Sequence, residues 1–315
     1  MSTDRADPIR VLFAAPAGAW ETYREALPRA FDAAGLDVEL SRDIPPEAAD
    51  YLVVTPKGPI RDFSPFTRAR AVLNLWAGVE ALVDNPTLTQ PLVRMIDPGL
   101  TQGMVEWVTG HALRHHLNTD LHVTGQDGIW RSHVPPLAQD RPVTVLGLGE
   151  LGAACAQALA ALGFPVTGWS RGAKAIDGIR CLHGSAGLET ALRGAQIVIL
   201  LLPLTRLTHN LLNATRLAWL PKGAVVINPG RGPLIDDDAL LAALDAGLGH
   251  ATLDVFRTEP LPPDHPFWAH PKVTVTPHIA SETRALSAAR AVAANIARAE
   301  AGDRMDGLVD RDRGY

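Results

Sequence analysis

The sequence has little cysteine, no long hydrophobic run and no cluster of charge of one sign. Only Cys155 and Cys181 occur among 315 residues, without a C-x-x-C motif, so neither a disulfide framework nor a zinc site is expected. No apolar run approaches the length of a membrane span, so we expect no membrane partner. The formal net charge of −5 is not clustered, which argues against nucleic acid as a main partner.

The beginning of the chain also lacks the pattern of a secretory signal. Residues 1–8 include acidic side chains, and the apolar run that follows them is short, so we expect a cytoplasmic protein. A hydrophobic content of 47% is enough for a sizeable core. The length suits two domains of ordinary size rather than one small domain.

A glycine-rich turn lies between a predicted strand and a predicted helix. The run 143–146 is apolar or β-branched and predicts a buried strand, and the Ala- and Leu-rich run 153–162 predicts a helix. Between them, Gly147, Gly149 and Gly152 follow the spacing G-x-G-x-x-G. The first glycine allows a tight turn, the second lets a pyrophosphate approach the backbone, and the third lets the helix pack close to the strand. This context predicts dinucleotide binding, and the alternative is a purely structural strand–turn–helix.

Strands alternate with helices along the chain, which is typical of α/β folds with parallel, doubly wound sheets. In the first part of the chain we predict strands at 9–14, 38–40, 51–55, 72–76 and 92–96. From residue 143 onward we predict strands at 143–146, 166–169, 179–182, 197–202, 224–228, 251–256 and 273–276. We expect helices at 20–34, 104–117, 187–193, 236–246 with Asp236 as N-cap, and 281–301 with Ser281 as N-cap. The expected domains are a dinucleotide-binding domain at 103–282 and a discontinuous substrate domain at 1–102 and 283–315.

Three polar side chains follow predicted strands, at the sheet edge where such folds place their sites. Arg231, Glu259 and His278 follow the predicted strands at 224–228, 251–256 and 273–276. The planar fork of Arg can hold a carboxylate and a carbonyl oxygen. His can give or take a proton near neutral pH, and a nearby Glu can hold its ring in one tautomer. Each residue alone is more often an ordinary loop residue, but the three together after a dinucleotide motif predict a catalytic site.

These motifs resemble those of the D-isomer-specific 2-hydroxyacid dehydrogenases over nearly the whole chain. The resemblance rests on the glycine turn, the three polar motifs above, and the segments 169–171, 202–205 and 309–315. Within the family, the chain looks most like the glyoxylate/hydroxypyruvate reductases. The resemblance implies two Rossmann-like domains, a flavodoxin-like substrate domain and an NAD(P)-binding domain, and a homodimer formed through the cofactor domains.

The resemblance also implies an activity, which is the NADPH-dependent reduction of a small 2-oxo acid to the D-2-hydroxy acid. Glyoxylate and hydroxypyruvate are the favoured substrates. Arg231 would bind the 2-oxo acid and polarise its carbonyl group. His278 would be the general acid, and Glu259 would pair with it.

The resemblance further implies which residues bind the substrate carboxylate and the cofactor. The backbone N–H groups of Trp76, Ala77 and Gly78 would hold the carboxylate, and Asp254 would contact the nicotinamide amide. The implied cofactor contacts are Gly147, Gly149, Glu150, Leu151, Gly152, Ser170, Arg171, Lys174, Leu202, Pro203, Thr208, Pro229, Gly230, Asp254, His278 and Ala280.

The residues after the strand at 166–169 favour NADPH over NADH. In NAD-binding members an acidic residue ends this strand and bonds the ribose 2′-OH. Here Ser170 and Arg171 take that place, and no carboxylate occurs until Asp177. Arg171 suits a 2′-phosphate, Ser170 can donate a hydrogen bond, and Lys174 adds positive charge. The alternative is a solvated Arg beside a permissive pocket, which would also accept NADH.

Two alternative functions remain open at this stage. One is a same-fold enzyme of different specificity, either a phosphoglycerate dehydrogenase or a reductase of a bulkier, phenylpyruvate-like 2-oxo acid. The other is a non-enzymatic dinucleotide-sensing protein, against which the intact polar trio argues. We expect no metal site, because His111 and His115 lie one helical turn apart without an accompanying carboxylate.

Overall fold

The structure, a computed structural model, describes residues 7–315. The expectation that the first residues form no secretory signal therefore falls largely outside the described range. The described chain divides into two compact units, here called unit 1 (residues 7–100 and Thr283–Tyr315) and unit 2 (Thr101–Glu282). The assignment of one unit to the substrate and the other to the cofactor stays a prediction.

Unit 1 contains a five-stranded sheet in which every strand pairs in parallel with its neighbours. Its strands are β1 (Ile9–Ala14), β2 (Val38–Ser41), β3 (Tyr51–Val54), β4 (Ala71–Asn74) and β5 (Leu92–Val93). Its first helices are α1 (Ala17–Tyr23), α2 (Ala26–Ala33) and α3 (Glu80–Val83). The strand order β2-β1-β3-β4-β5 is that of flavodoxin-like folds. β3 and β4 are buried along their whole length, and apart from Asn74 at the end of β4 their sequences are apolar runs rather than alternating ones.

Unit 2 contains a seven-stranded sheet, also entirely parallel. Its strands are β6 (Val143–Leu146), β7 (Val166–Ser170), β8 (Arg180–His183), β9 (Ile197–Leu200), β10 (Val225–Asn228), β11 (His250–Leu253) and β12 (Val273–Val275). The helices in this part of the chain are α4 (Pro98–His116), α5 (Thr119–Val123), α6 (Glu150–Ala161), α7 (Gly184–Arg193), α8 (Ala214–Leu217) and α9 (Asp237–Ala246). The order β12-β11-β10-β9-β6-β7-β8 reverses direction between β6 and β9, and ligands bind at such a switch point.

The end of the chain returns to unit 1 as helix α10 (Ala285–Ala301). Its apolar face, which includes Val292 and Ile296, packs into the same core as Leu27 and Phe31 of α2. The residues after α10 run along β5, where Val93 and Leu308 form an antiparallel bridge. No helix among residues 7–315 is long and apolar enough to cross a membrane.

Two details of the predicted helices are wrong. The helix predicted at 20–34 is two helices, α1 and α2, with a break at Arg24 and Glu25. Pro28 explains the break, because it has no N–H for the Arg24 carbonyl and its ring would clash with that carbonyl in a continuous helix. Pro28 therefore lies in the first turn of α2, where it is tolerated.

The second error concerns the caps of the later helices. Ser281 does not cap α10, which begins at Ala285 after Arg284. Ser281 instead lies against Gly103 of α4, where an added Cβ would be 2.9 Å from the Ser281 Oγ. The other predicted cap is confirmed, because Asp236 Oδ1 accepts a hydrogen bond from the N–H of Ala239 at 3.0 Å.

Two partly buried histidines, His115 of α4 and His250 of β11, lie side by side in unit 2. His115 Nε2 lies 2.8 Å from Thr252 Oγ1, and His250 Nε2 lies 2.8 Å from Thr274 Oγ1. The two imidazole rings are 5.0 Å apart. Burial, followed by the neighbouring His250, lowers the pKa of His115 to about 3. Burial, followed by the charge of Arg114, lowers the pKa of His250 to about 4.

We expect the free energy of unfolding to decrease as the pH falls from about 6.5, the ordinary His pKa, towards 4. Both rings stay neutral in the folded chain but take up protons once unfolded, so their stabilisation is fully present above this range and is lost below it. Within this range the decrease in the free energy of unfolding approaches about 1.4 kcal/mol per pH unit for each ring. Urea titrations at several pH values should show a shallower dependence for His250→Gln, and an unchanged slope would contradict this account. His183→Gln, at an exposed position at the end of the strand 180–183, is the control.

Candidate active site

The glycine turn of unit 2 leaves room for a phosphate at the start of a helix. Gly147 has a φ of +106°, and an added Cβ would lie 2.5 Å from the Leu201 oxygen. At Gly152 a Cβ would lie 1.8 Å from the Gly147 oxygen, so neither position accepts a side chain. At Gly149, by contrast, an added Cβ would meet nothing within 4 Å, and α6 begins at the next residue. The residues present therefore fit the pyrophosphate of a dinucleotide, which the N–H groups of α6 would hold.

The loop after β7 lies beside this turn, because the Gly147 N–H donates to the Trp169 oxygen at 2.8 Å. Ser170 ends β7, and its hydroxyl donates to the Gly172 oxygen at 2.8 Å. Arg171 and Lys174 are exposed. The predicted 2′-phosphate residues therefore lie on the loop next to the predicted pyrophosphate site.

The other predicted cofactor residues also lie at the carboxyl ends of the strands of unit 2. Thr208 shapes the loop after β9, because its hydroxyl donates to the Pro203 oxygen at 2.7 Å and accepts from the Thr205 N–H at 2.8 Å. The remaining ones are Glu150 and Leu151 in the first turn of α6, Leu202 after β9, Pro229 after β10 and Ala280 after β12. Parallel strands bring all of these loops to one edge.

Asn228, the last residue of β10, shapes the loop that carries Arg231. Its Oδ1 accepts from the Gly230 N–H at 3.1 Å, and its Nδ2 donates to the Arg231 oxygen at 3.0 Å. A Cβ on Gly232 would lie 2.1 Å from the carbonyl carbon of Phe256, so the loop runs directly against the end of the neighbouring strand segment. The half-buried Arg231 guanidinium donates to the Gly230 oxygen at 2.7 Å.

Glu259 and His278 are in direct contact. The Nδ1 atom of His278 lies 2.7 Å from Oε2 of Glu259, and the other carboxylate oxygen accepts from the Phe256 N–H at 3.0 Å. A carboxylate at Nδ1 holds a proton on that nitrogen and orients the ring. In residues 7–315 the opposite nitrogen, Nε2, has no protein hydrogen-bond partner, so it is the atom available for proton transfer.

Asp254 anchors the loop that carries His278. Its fully buried carboxylate accepts from Thr276 Oγ1 at 2.5 Å, from the Ile279 N–H at 2.9 Å and from the Ala280 N–H at 2.8 Å. The backbone of His278 donates to the Asp254 oxygen at 2.8 Å and has a φ of +56°, which is uncommon for a residue other than glycine. These hydrogen bonds tie the loop to the residue that follows β11. The contact of Asp254 with a nicotinamide amide stays a prediction.

Sequence reasoning missed Arg257, which also organises this edge. Its guanidinium donates to Asn210 Oδ1 and to the Ile235 oxygen, and its Nε lies 3.3 Å from Asp237 Oδ1. Arg257 therefore ties the loop that carries Glu259 to the segment that follows the Arg231 loop.

The predicted carboxylate-binding segment lies in unit 1, after β4. Trp76 is 40% exposed, and Ala77 and Gly78 are half-buried. Sequence reasoning also missed Asn74, a buried residue that donates hydrogen bonds to two carbonyl oxygens of this segment. The sequence does contain one feature that could have indicated Asn74, because it is the only polar residue in the otherwise apolar run 71–75.

Among residues 7–315 no group of three or more His, Cys, Asp or Glu side chains is arranged to hold a metal ion. His111 instead packs against Trp107, with ring centroids 4.3 Å apart. Burial, followed by the charge of Arg114, lowers the pKa of His111.

Comparison with known protein families places the chain in a class. Residues 110–280 match the family described as D-isomer specific 2-hydroxyacid dehydrogenase, NAD binding domain. The chain is 41% identical over 276 residues to glyoxylate/hydroxypyruvate reductase A of Serratia proteamaculans, covering 85% of this chain and 88% of the relative. It is 40% identical over 278 residues to the Yersinia enterocolitica protein of the same name, with the same coverage.

Solved structures agree with this result. A D-isomer specific 2-hydroxyacid dehydrogenase from Xanthobacter autotrophicus Py2, in complex with NADPH and MES, superposes with a TM-score of 0.91 at 42% identity, covering 98% of this chain and 100% of that one. An NADPH-dependent glyoxylate/hydroxypyruvate reductase from Sinorhizobium meliloti, in complex with NADP and sulfate, superposes with a TM-score of 0.84 at 35% identity. This match covers 97% of this chain and 99% of that one. The chain belongs to the D-isomer-specific 2-hydroxyacid dehydrogenases. The predicted family and the predicted α/β fold with two doubly wound parallel sheets are confirmed.

Proposed function

We propose that the protein reduces small 2-oxo acids, in particular glyoxylate and hydroxypyruvate, to D-2-hydroxy acids with NADPH. The observation that carries this proposal is the 2.7 Å contact between His278 Nδ1 and Glu259, which leaves Nε2 available at the sheet edge that carries the glycine turn. The names of the relatives from Serratia proteamaculans and Yersinia enterocolitica support the choice of substrates. The NADPH and NADP complexes of the similar structures support the choice of cofactor.

The side chains of unit 2 divide the chemistry between them. A bound NADPH would supply the hydride that is transferred to C2 of the 2-oxo acid. Arg231 binds the acid through its planar fork and stabilises the negative charge that develops on the carbonyl oxygen. In its imidazolium form, His278 donates the Nε2 proton to that oxygen and is left neutral with its proton on Nδ1, which Glu259 holds. The N–H groups at the start of α6 would hold the pyrophosphate of the cofactor.

A panel of 2-oxo acids tests the substrate class directly. NADPH oxidation would be followed with glyoxylate, hydroxypyruvate, phenylpyruvate and 3-phosphohydroxypyruvate at matched concentrations. We expect the highest kcat/KM with the two small substrates. A higher kcat/KM for phenylpyruvate or for the phosphorylated acid would assign the protein to one of the other reductase classes. Cofactor binding without turnover of any 2-oxo acid would indicate a dinucleotide-sensing protein.

We also propose that Arg171, with Ser170 and Lys174, selects NADPH over NADH. A charge-assisted hydrogen bond to the 2′-phosphate is worth about 1.5–3 kcal/mol, which corresponds to about one to two orders of magnitude in KM. Ser170→Asp combined with Arg171→Ala should remove or reverse this preference. The change should lie mainly in KM, because the phosphate is far from the reacting carbon.

The matched control is Arg193→Ala, which removes an exposed charge of unit 2 that pairs with Glu189 on α7. This variant should keep the wild-type ratio of the two KM values. Equal KM values for NADPH and NADH in the wild type would refute the proposed role of Arg171. The proposed substrates would not be affected by this result.

We further propose that the protein is a cytoplasmic homodimer formed through unit 2. The segment 117–137 exposes several large hydrophobic side chains, and a second copy would bury them. They are Leu117, Val123, Ile129, Trp130, Val134 and Leu137, with Trp130 96% exposed. Analytical ultracentrifugation should give twice the chain mass of 33.7 kDa, and Trp130→Asp should shift the protein towards monomer. A monomeric wild type would contradict the dimer.

A further inference from the structure

Asn74 is a buried amide at the carboxyl end of β4, only 1% exposed. Its Nδ2 donates to the Trp76 oxygen at 2.7 Å and to the Gly78 oxygen at 2.8 Å. The Trp76 oxygen also accepts from the Met95 N–H at 3.0 Å. One amide group therefore holds two carbonyl groups of the segment 76–78 towards the interior of unit 1.

The direction of these carbonyl groups fixes the direction of two backbone donors. In a planar trans peptide the C=O and the N–H point in opposite directions. The carbonyl of Trp76 therefore turns the Ala77 N–H away from Asn74, and the carbonyl of Gly78 turns the Val79 N–H away in the same manner. Within residues 7–315 neither of these N–H groups donates a hydrogen bond to another residue.

We propose that Asn74 is a positioning residue for the substrate carboxylate. It holds the turn so that the backbone N–H groups on the side away from it remain directed at an anion. Donors fixed in advance bind a carboxylate without the cost of ordering a loop. This inference rests on the proposed function, because the ligand in question is the carboxylate of a 2-oxo acid.

A purely structural role explains Asn74 less well. The Oδ1 atom of Asn74 is buried and has no hydrogen-bond partner in the described part of the chain. A buried acceptor without a partner destabilises the fold, so stability alone favours a different residue at this position. The amide contributes two hydrogen bonds, both donated by Asn74 Nδ2, and both are accepted by carbonyl groups of the proposed carboxylate-binding segment.

The test compares a substrate that has the carboxylate with one in which it is neutralised. For Asn74→Ala we expect kcat/KM for glyoxylate to fall by about tenfold to a hundredfold, mainly through KM, as for the loss of well-placed hydrogen bonds to a charged group. For methyl glyoxylate, in which an uncharged ester replaces the carboxylate, the decrease in kcat/KM caused by Asn74→Ala should be much smaller. The KM for NADPH should stay unchanged.

Asn295→Ala is the matched control. Asn295 is another buried amide of unit 1, and it holds Asp306 through hydrogen bonds of 3.0 and 2.8 Å to the backbone. This variant should lower the thermal stability but keep the ratio of kcat/KM between glyoxylate and its methyl ester. An Asn74→Ala variant that loses activity equally on both substrates, or on neither, would overturn the inference.

A binding measurement separates this inference from the proposed function. Oxalate resembles a 2-oxo acid but cannot be reduced, so its Kd can be measured by calorimetry in the presence of NADP⁺ without turnover. We expect Asn74→Ala to weaken oxalate binding while Asn295→Ala does not. Equal Kd values in the wild type and Asn74→Ala would overturn the positioning role even if the wild type reduces glyoxylate. Absence of turnover in the wild type would instead refute the proposed reaction.

Discussion

Replacement of His278 by alanine should lower kcat for glyoxylate by about a hundredfold or more, which is the usual contribution of a positioned general acid. The expectation follows from the geometry, because Nδ1 is held by Glu259 and Nε2 remains available to the substrate. NADPH binding should remain nearly intact, because His278 is only one of the implied cofactor contacts and the glycine turn after β6 would still hold the pyrophosphate. Stopped-flow measurement of NADPH oxidation, together with fluorescence titration of NADPH, checks both statements.

The control is His183→Ala, which removes an exposed imidazole at the end of β8. It should leave kcat unchanged. Because the backbone of His278 has a positive φ, alanine could also disturb the loop. His278→Asn is therefore a second variant, since Asn tolerates that conformation but cannot transfer a proton. A near-normal kcat in both variants would remove His278 from the mechanism.

The second large effect is expected for Arg231→Lys. A lysine keeps the positive charge but cannot form two parallel hydrogen bonds in one plane, so kcat/KM for 2-oxo acids should fall by about two orders of magnitude. The local fold should survive, because the loop is shaped by Asn228 and by the close packing of Gly232 rather than by the guanidinium alone. Steady-state kinetics with glyoxylate at fixed NADPH measure the effect.

Arg216→Lys is the matched control for this substitution. Arg216 is also half-buried and also donates to a backbone oxygen, that of Leu211, at 2.9 Å. Its replacement by lysine should leave kcat/KM close to the wild-type value. Wild-type kcat/KM in Arg231→Lys would show that bidentate binding by Arg231 is not part of the reaction.

Much of the fold could be predicted because local patterns determine it. The apolar runs of β6 and β9 and the spacing of Gly147, Gly149 and Gly152 indicate a nucleotide-binding sheet without any knowledge of distant contacts. The helix predicted at 20–34 failed because its apolar spacing was weighed without the effect of Pro28 on the carbonyl four residues earlier. The N-cap at Ser281 failed because α10 begins only at Ala285, and the proximity of Ser281 to Gly103 of α4 is a long-range feature that the local sequence does not show.

The site was predictable only in part, because long-range contacts that the local sequence does not show also shape it. Chain order places Arg231, Glu259 and His278 after neighbouring strands of one sheet, and this can be read from the sequence. The contacts that hold these loops join residues that are distant in the chain. Arg257, for example, contacts Asn210, 47 residues away, so no local spacing could indicate it. Asn74 donates its hydrogen bonds to backbone carbonyl groups, and no side-chain sequence motif indicates such a contact.

The most direct test of the proposed reaction is the fate of the hydride. Hydroxypyruvate would be reduced with NADPH that carries deuterium at both C4 positions of the dihydronicotinamide ring, and the product would be examined by chiral chromatography and mass spectrometry. The account predicts D-glycerate with a single deuterium at C2. L-glycerate, a product without deuterium, or oxidation of NADPH without reduction of the acid would contradict it.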